Sequence, residues 1–405
     1  MFTLNKVPNR TRIILVLGAL AALGPFTIDM YLPSFPAIAK SLNTTIAWVG
    51  FSLTSYFAGI AIGQLLYGPI LDRFGRKPPL LFGLVVYLLA ALGCAWAPSV
   101  EWLIALRFMQ AIGGCVGMVA GRAIIRDLFP PNQIANVFSS LILVMGVAPI
   151  IAPTVGGFVT ATYGWQAIFY ILTAIAFLLL GLVGFFLQES KGADKTVSLA
   201  PKNILQDWKF VLQHPAFVIF TLVSSISFGG LFAYIAGSPF VFIEYFGLTE
   251  TQYGWAFGLN AFGFILGSQV NRFWLKVRSG VAITKTVATI QLIVGLLLAV
   301  GTLTQTFGAI PTLICIWIFL FCQGVITPNA TALALEPITR AVGSASALMG
   351  SIQMIAGASI SGIVSATFND TPQPMVLAMF GCGFTSFLLL TLYLRRTPWS
   401  KTAAV

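Results

Sequence analysis

The feature that most constrains this chain is the recurrence, from one end to the other, of apolar runs long enough to cross a bilayer, separated by short polar breaks. A hydrocarbon core of about 30 Å is spanned by about 20 residues of helix, and inside it every backbone amide must be satisfied within its own segment. Each run is therefore read as a transmembrane helix. Only 8% of the residues are charged, against about a quarter in a soluble domain, so most of the surface faces something other than water. The expectation is an all-α membrane protein with a lipid bilayer as its main partner.

The runs fall near residues 13 to 34, 46 to 71, 79 to 97, 101 to 126, 135 to 160 and 165 to 188, then 216 to 240, 252 to 275, 284 to 304, 310 to 333, 342 to 368 and 375 to 395. Twelve transmembrane helices result, six in an N-terminal half (1–188) and six in a C-terminal half (216–405), joined by a polar linker (189–215) that carries Lys191, Lys195, Lys202 and Lys209. Cytoplasmic loops hold an excess of Lys and Arg. With the N-terminus inside, all but two of the 22 basic residues fall on the inner side, the exceptions being Lys40 and Arg107. Both termini are thus expected in the cytoplasm of a bacterial cell, with the chain in its inner membrane. The net charge of +11 is a topology signal and predicts no nucleic-acid partner.

Other chemistry finds no support. The five cysteines (Cys94, Cys115, Cys315, Cys322, Cys382) lie in apolar runs and form no CxxC pair, and the single histidine, His214, has no partner at ligand spacing, so neither metal nor disulfide is expected. No phosphate-binding GxxxxGK[ST] occurs. Any pumping must draw on an ion gradient or another subunit. Lys6, Arg10 and Arg12 precede the first run in the manner of a secretory signal, but the run continues through Asp29 to Pro33 and is taken as the first helix.

The halves repeat. Gly68-Pro-Ile-Leu-Asp72-Arg73-Phe-Gly75-Arg76-Lys77 follows the second span, and Gly267-Ser-Gln-Val-Asn271-Arg272-Phe-Trp-Leu-Lys276 follows the eighth. A weaker echo sets Phe108-Met-Gln110 beside Phe321-Cys-Gln323, with Leu320 in the place of Arg107. Parallel repeats of six spans place a cavity between the halves near the bilayer midplane. The first of these loops resembles the G-x-L-x-D-R-x-G-R-K motif of the major facilitator superfamily, departing from it at Ile70. Gly68 is expected to let two helices approach closely, and Arg73 and Arg76 to reach the acidic end of another span, for which Asp127 is the candidate.

Span five carries Ala148-Pro149-Ile-Ile-Ala-Pro153-Thr-Val-Gly156-Gly157, which is similar to the G-x-x-x-G-P-x-x-G-G motif of the drug:proton antiporter branch, with alanine at both leading glycines. Prolines free backbone carbonyls and paired glycines permit close packing, so such a helix can bend against a neighbour. Thr27-Ile-Asp29-Met-Tyr31-Leu-Pro33 resembles the first helix of the Bcr/CflA multidrug exporters, and Arg107 to Gln110 resembles the superfamily's R-x-x-Q element. The resemblance covers both halves and implies the major facilitator fold, alternating access and export of small drug-like molecules in exchange for protons. It implies a secondary transporter that works as a monomer without a cofactor, driven by the proton gradient. The alternatives are a proton symporter or facilitator on the same fold and, from another class, a membrane enzyme or ABC permease subunit.

Asp29 and Arg107 are the charges set well inside a span. A charge at the bilayer centre costs about 2.5–3.5 kcal/mol on insertion scales and is kept for a partner or a function. Counting 1.5 Å per residue, Asp29 lies about 24 Å above the inner start of its span and Arg107 about 9 Å below the outer start of its own, which brings them to similar depth. The two are expected to meet and to act as the proton-coupling pair. Tyr31, Tyr56, Gln110, Tyr234, Asn260, Trp317, Gln323 and Gln353 stand near mid-depth and are the candidates for substrate contact, because ligand sites are mostly apolar with a few placed polar groups.

Overall fold

Polar breaks decide where the helices start. The hydroxyls of Thr45, Thr249 and Ser279 each accept the amide hydrogen of the residue three places on, which caps the first turn of the apolar run that follows. Pro131, Pro201 and Pro215 instead occupy the first helical position, where the missing N–H costs nothing. The computed structural model describes residues 10–129, 131–194, 201–338 and 342–396, with the side chains of 10, 131–136, 138–146, 201–204, 342 and 396 outside the description. Lys6 and Lys195, read above as inner cations, lie outside these residues.

The elements are α1 (Arg10–Asp29), α2 (Phe35–Ser41), α3 (Ile46–Phe74), α4 (Lys77–Ala95), α5 (Val100–Leu128), α6 (Pro131–Tyr163) and α7 (Gln166–Phe186), then α8 (Pro201–Leu212), α9 (Pro215–Pro239), α10 (Glu250–Trp274), α11 (Gly280–Leu303), α12 (Ala309–Leu335), α13 (Val342–Ala366) and α14 (Gln373–Arg396). Among the described residues there is no strand. Ten helical segments are long and apolar enough to cross a membrane by length and composition. The 33-residue α6 and the 25-residue α10, which carries Asn260 and Asn271 among other polar side chains, complete the twelve spans. The short α2 and α8 are not spans. The stretch read as a linker thus contains a helix, and Ser344 of α13 donates to Asp207 of α8 at 3.1 Å.

The ends that carry Arg73, Arg76, Lys77, Arg126, Lys191, Lys276 and Arg278 form a basic face, while Lys40, Glu101, Glu244, Glu250 and Asp370 lie toward the opposite face. Trp96, Trp102 and Tyr163 sit at opposite-face helix ends with 67%, 60% and 72% of their surface exposed, as expected of aromatic rings at headgroup level.

The N-terminal spans pack through α3 on α5, α4 on α5 and α7, and α1 on α6; the C-terminal spans pack through α9 on α14, α10 on α12, and α11 on α12 and α14. Between the sets, the second span of each runs along the fifth of the other, α3 on α13 and α10 on α6. Thr54 meets Ser361 at 3.0 Å and Ser351 donates to the Ala61 carbonyl at 3.2 Å, so the α3/α13 seam extends from the opposite face to mid-membrane. The α6/α10 seam is tighter still. A Cβ on Gly254 would fall 2.8 Å from the Pro153 carbonyl oxygen, and one on Gly258 3.0 Å from that of Ile150.

Candidate functional site

The site begins where α1 breaks. Proline has no N–H to give the carbonyl four residues back, and it disfavours helix in the residue before it. Pro33 therefore ends α1 at Asp29, short of the boundary near 34 read from hydropathy, and a 3₁₀ turn (Leu32–Ser34) leads into α2. Helix ends leave carbonyls without intrahelical donors. One of these, on Thr27, accepts both terminal nitrogens of Arg107, each at 3.3 Å.

Arg107 is fully buried. Its guanidinium also donates to Gln110 Oε1 at 2.8 Å and stands over the rings of Tyr56 (4.3 Å), Tyr31 (4.5 Å) and Phe169 (5.9 Å). A desolvated cation over an aromatic face gains about 2 kcal/mol, and a cation also suits a helix C-terminus. No carboxylate among the described residues joins this cage. The expected meeting of Arg107 with Asp29 is corrected here, because the carbonyl freed by the helix break and three ring faces take the guanidinium instead. Nε of Arg107 is buried without a hydrogen-bond partner among the described residues, so the cage retains hydrogen-bonding capacity.

Asp29 lies nearby on the same helix end, 5% exposed. It makes no hydrogen bond or ion pair among the described residues. The glycine pair of α6 holds this arrangement in place. A Cβ on Gly156 would fall 2.2 Å from the Met30 carbonyl oxygen at the α1 break, and one on Gly157 2.5 Å from the Glu250 carbonyl oxygen at the start of α10. One glycine admits the helix end that bears Asp29, and its neighbour admits the other half. Pro149 and Pro153 lie in the same helix.

A second cluster lies at the basic face. Arg76, 2% exposed, donates from Nε to Asp127 at 2.8 Å and from Nη1 to Asp72 at 2.7 Å. Ser190 donates to Asp127 at 3.2 Å, Lys191 stands 3.9 Å from Asp72, and the Arg73 carbonyl accepts from the Asp194 amide at 3.1 Å. Glu189, which the sequence reading left in the linker, accepts the amides of Arg76 and Lys77 at 2.7 and 3.1 Å and so caps α4. Gly75 turns the chain at φ +87°, and a Cβ there would come 2.9 Å from the Glu189 carboxylate. The expectation for Gly68 is corrected. Among the described residues, its own helix aside, no atom lies within 4 Å of where its Cβ would be, and the close contacts of α3 with α13 lie farther from the basic face.

The remaining candidates divide. Tyr31 and Tyr56 belong to the Arg107 cage, and Tyr31 also bonds Ser52 at 2.8 Å. Asn260 donates to the Tyr234 hydroxyl at 3.0 Å, across the seam from Asp29. Gln323 is turned away from this group, into a buried network with Ser227, Gln291 and Thr327. Trp317 stacks on Phe321 at 5.8 Å and fills the space above Gly263, a helix-packing role between α10 and α12. Gln353 is half-buried on α13. Phe169 and the Thr27 carbonyl were not legible in the sequence, since neither a ring in the sixth span nor a main-chain acceptor leaves a motif.

Residues 15–361 match the model of the Major Facilitator Superfamily. A bicyclomycin resistance protein homolog of Haemophilus influenzae is 35% identical over 95% of this chain and 96% of its own length. The multidrug resistance protein MdtL of Klebsiella pneumoniae is 29% identical over 94% of this chain and 95% of its own. Among solved structures, a D-xylose–proton symporter superposes with a TM-score of 0.74 over 96% of this chain and 98% of that one, at 18% identity, a likeness of fold alone. The resemblance to the Bcr/CflA exporters read from the first span is borne out by these relatives. With its twelve spans, its basic-face motif and its matched length, the chain belongs to the major facilitator superfamily, a family of membrane transporters.

Proposed function

We propose that this transporter exports small drug-like molecules from the bacterial cytoplasm in exchange for protons, by alternating access between two faces. The observation that carries the reading is the pair of embedded charges at the α1 break. Asp29 is a buried carboxyl with no hydrogen bond or ion pair among the described residues, two residues along the chain from the carbonyl that holds Arg107, whose own partners are neutral. Burial pushes a carboxyl toward its neutral form and a neighbouring cation pushes it toward the ionised form, so small movements of the helices or arrival of a substrate move the proton on or off. Arginine stays charged throughout and sets a fixed field for that switch. The names of the relatives, which refer to bicyclomycin and multidrug resistance, support a drug as the counter-substrate.

In this reading the chain lies in the inner membrane with its basic face and both termini cytoplasmic, and a monomer suffices. The proton gradient supplies the drive and no cofactor takes part. Tyr31, Tyr56, Tyr234 and Asn260 line the path between the halves and contact the substrate. The Asp72–Arg76–Asp127 cluster gates the basic face.

The test has two stages. Drug-susceptibility profiling of a pump-deleted host, with and without this protein, identifies a transported compound. That compound should then accumulate in everted, acid-inside vesicles, and the accumulation should collapse with a protonophore and vanish in Asp29→Asn. Undiminished pH-driven uptake by that variant would remove the proton-site role, and compound leaving the vesicles together with protons would make the protein a symporter.

A further inference from the structure

The loop that ends α10 repeats the one that ends α3, and the two have diverged in what answers their cations. In the first, Arg76 is held by Asp72 and Asp127, and Glu189 accepts the amides of Arg76 and Lys77. In the second, Asn271 stands in the place of Asp72, Trp274 in that of Gly75 and Leu275 in that of Arg76, and Val277 and Arg278 follow. Between Glu250 and Glu336 the chain has no acidic residue. Its cations there, Arg272, Lys276, Arg278 and Lys285, are all exposed and make no ion pair among the described residues. Lys276 rests over the Phe273 ring at 5.5 Å and Arg272 bonds Gln269 at 3.4 Å, while the side chains of Arg278 and Lys285 make no hydrogen bond among the described residues. Apolar side chains set between these cations are exposed as well, Phe273 by 66% and Val277 by 76%.

Trp274, Val277, Arg278, Ile283, Thr286 and Val287 line a cleft of about 300 Å³ between the end of α10 and the start of α11. Thr286 also begins an exposed stripe on α11 that continues through Ile290, Ile293, Leu297 and Val300, the i, i+4, i+7, i+11, i+14 spacing of one helix face. Other faces of α11 pack on α12 and α14, and this one is left to lipid. From Thr286 to Val300 the stripe runs about 21 Å at 1.5 Å per residue, enough to cross one leaflet of a core about 30 Å thick. Cleft and cations therefore stand at the headgroup end of an apolar track of acyl-chain length. An acidic soluble protein would match the cations and leave the track unused, whereas a phospholipid uses both.

We propose that the cleft between α10 and α11 binds an anionic glycerophospholipid, with the headgroup phosphate on Arg278 and an acyl chain along the α11 stripe. A guanidinium presents a planar fork of donors that matches phosphate oxygens. Lys276 and Lys285 add attraction for the net negative charge, which a zwitterionic lipid cancels with its own cation. The Trp274 ring, apolar with one polar N–H, suits the boundary between headgroup and chain. The repeat loop of the N-terminal half is no second copy of this site, because its own carboxylates occupy Arg76. The inference requires only that the chain lies in a bilayer, and it is independent of the proton-site reading of Asp29.

The test is a titration of the purified full chain in detergent with phosphatidylglycerol, and separately with phosphatidylcholine, counting bound lipid by native mass spectrometry. Phosphatidylglycerol should bind in preference. Arg278→Gln should weaken it about fivefold, the worth of one Lys or Arg beside an anionic headgroup, and the triple change Lys276→Gln, Arg278→Gln, Lys285→Gln about a hundredfold. Thr286→Trp keeps every cation but fills the cleft, and it should abolish the preference. Lys209→Gln removes an exposed cation of α8 and should leave binding unchanged. Equal losses in Lys209→Gln and Arg278→Gln would reduce the effect to the general positive charge of the basic face and overturn the site. Unchanged binding in Thr286→Trp, or equal binding of the two lipids by the unaltered protein, overturns it as well.

Discussion

The two halves share a frame and differ in what they bury. At the repeat position of Arg107 the C-terminal half has Leu320, and the glutamine three residues on, Gln110 in one half and Gln323 in the other, bonds a guanidinium in the first and neutral amide and hydroxyl groups in the second. At the basic face, Asp72 joins Arg76 and Asp127 in a charged cluster, whereas its counterpart Asn271 exchanges two amide hydrogen bonds with Asn329 at 3.0 and 2.8 Å. Neutral amide pairs answer to geometry but not to protons. Charged groups answer to both. Under the proposed function, the N-terminal half would carry the parts that respond to the gradient, against a C-terminal wall of neutral hydrogen bonds.

The largest expected effect breaks this contrast directly. Arg107→Ala empties the cage and leaves the Thr27 carbonyl and Gln110 without their charged donor, at about 1.5–3 kcal/mol for the hydrogen bonds alone. Coupled exchange in liposomes should fall to background. Arg107→Lys should be intermediate, because lysine lacks the planar fork that grips one carbonyl with two nitrogens. Gln323→Leu should lower the unfolding temperature while retaining exchange. If Gln323→Leu abolishes exchange as Arg107→Ala does, the halves are not divided in the way described.

A smaller effect is expected from methyl groups added to two motif glycines. Gly156→Ala drives a carbon against the Met30 carbonyl, and overpacking of this kind costs about 1–3 kcal/mol. Gly68→Ala meets open space and should change stability by no more than about 0.5 kcal/mol. Thermal unfolding of both purified variants sharpens the comparison between the packed seam and the open basic face, and equal losses would show that the face is not open in the ensemble.

The smallest belongs to Asp72→Asn. Asp72 is 41% exposed, and solvent-screened pairs contribute about 0–1 kcal/mol, so turnover should fall by no more than about fivefold with ligand affinity unchanged. A loss of affinity at constant turnover would place this cluster in the binding site and not in the gate.

Much of this was legible in the chain, for identifiable reasons. Spans were visible because lipid permits few alternatives to an apolar helix, and Asp29 and Arg107 stood out because charges are rare there. The pairing between them was misjudged because depth along a helix says nothing about azimuth, and because the acceptor that wins Arg107 is a carbonyl that every residue possesses. Gly156 and Gly157 were recognised as packing residues, but which glycine met which partner required the seam. Glu189 was hidden in a run of polar residues whose spacing carries no signal for the helix that it caps. Gln110 and Gln323 were read alike, although each is turned into the interior of its own half.

The Thr27 carbonyl has one more consequence. The cation at the centre of this protein is tethered to main chain, so a lineage drifting under antibiotic selection can exchange the side chain at residue 27, with its hydroxyl bond to Tyr87 at 2.6 Å, and keep the tether unchanged. What sets the tether's position is Pro33, which fixes where the helix stops. A change at Pro33 would thus relocate the charge by moving the helix end that holds its acceptor.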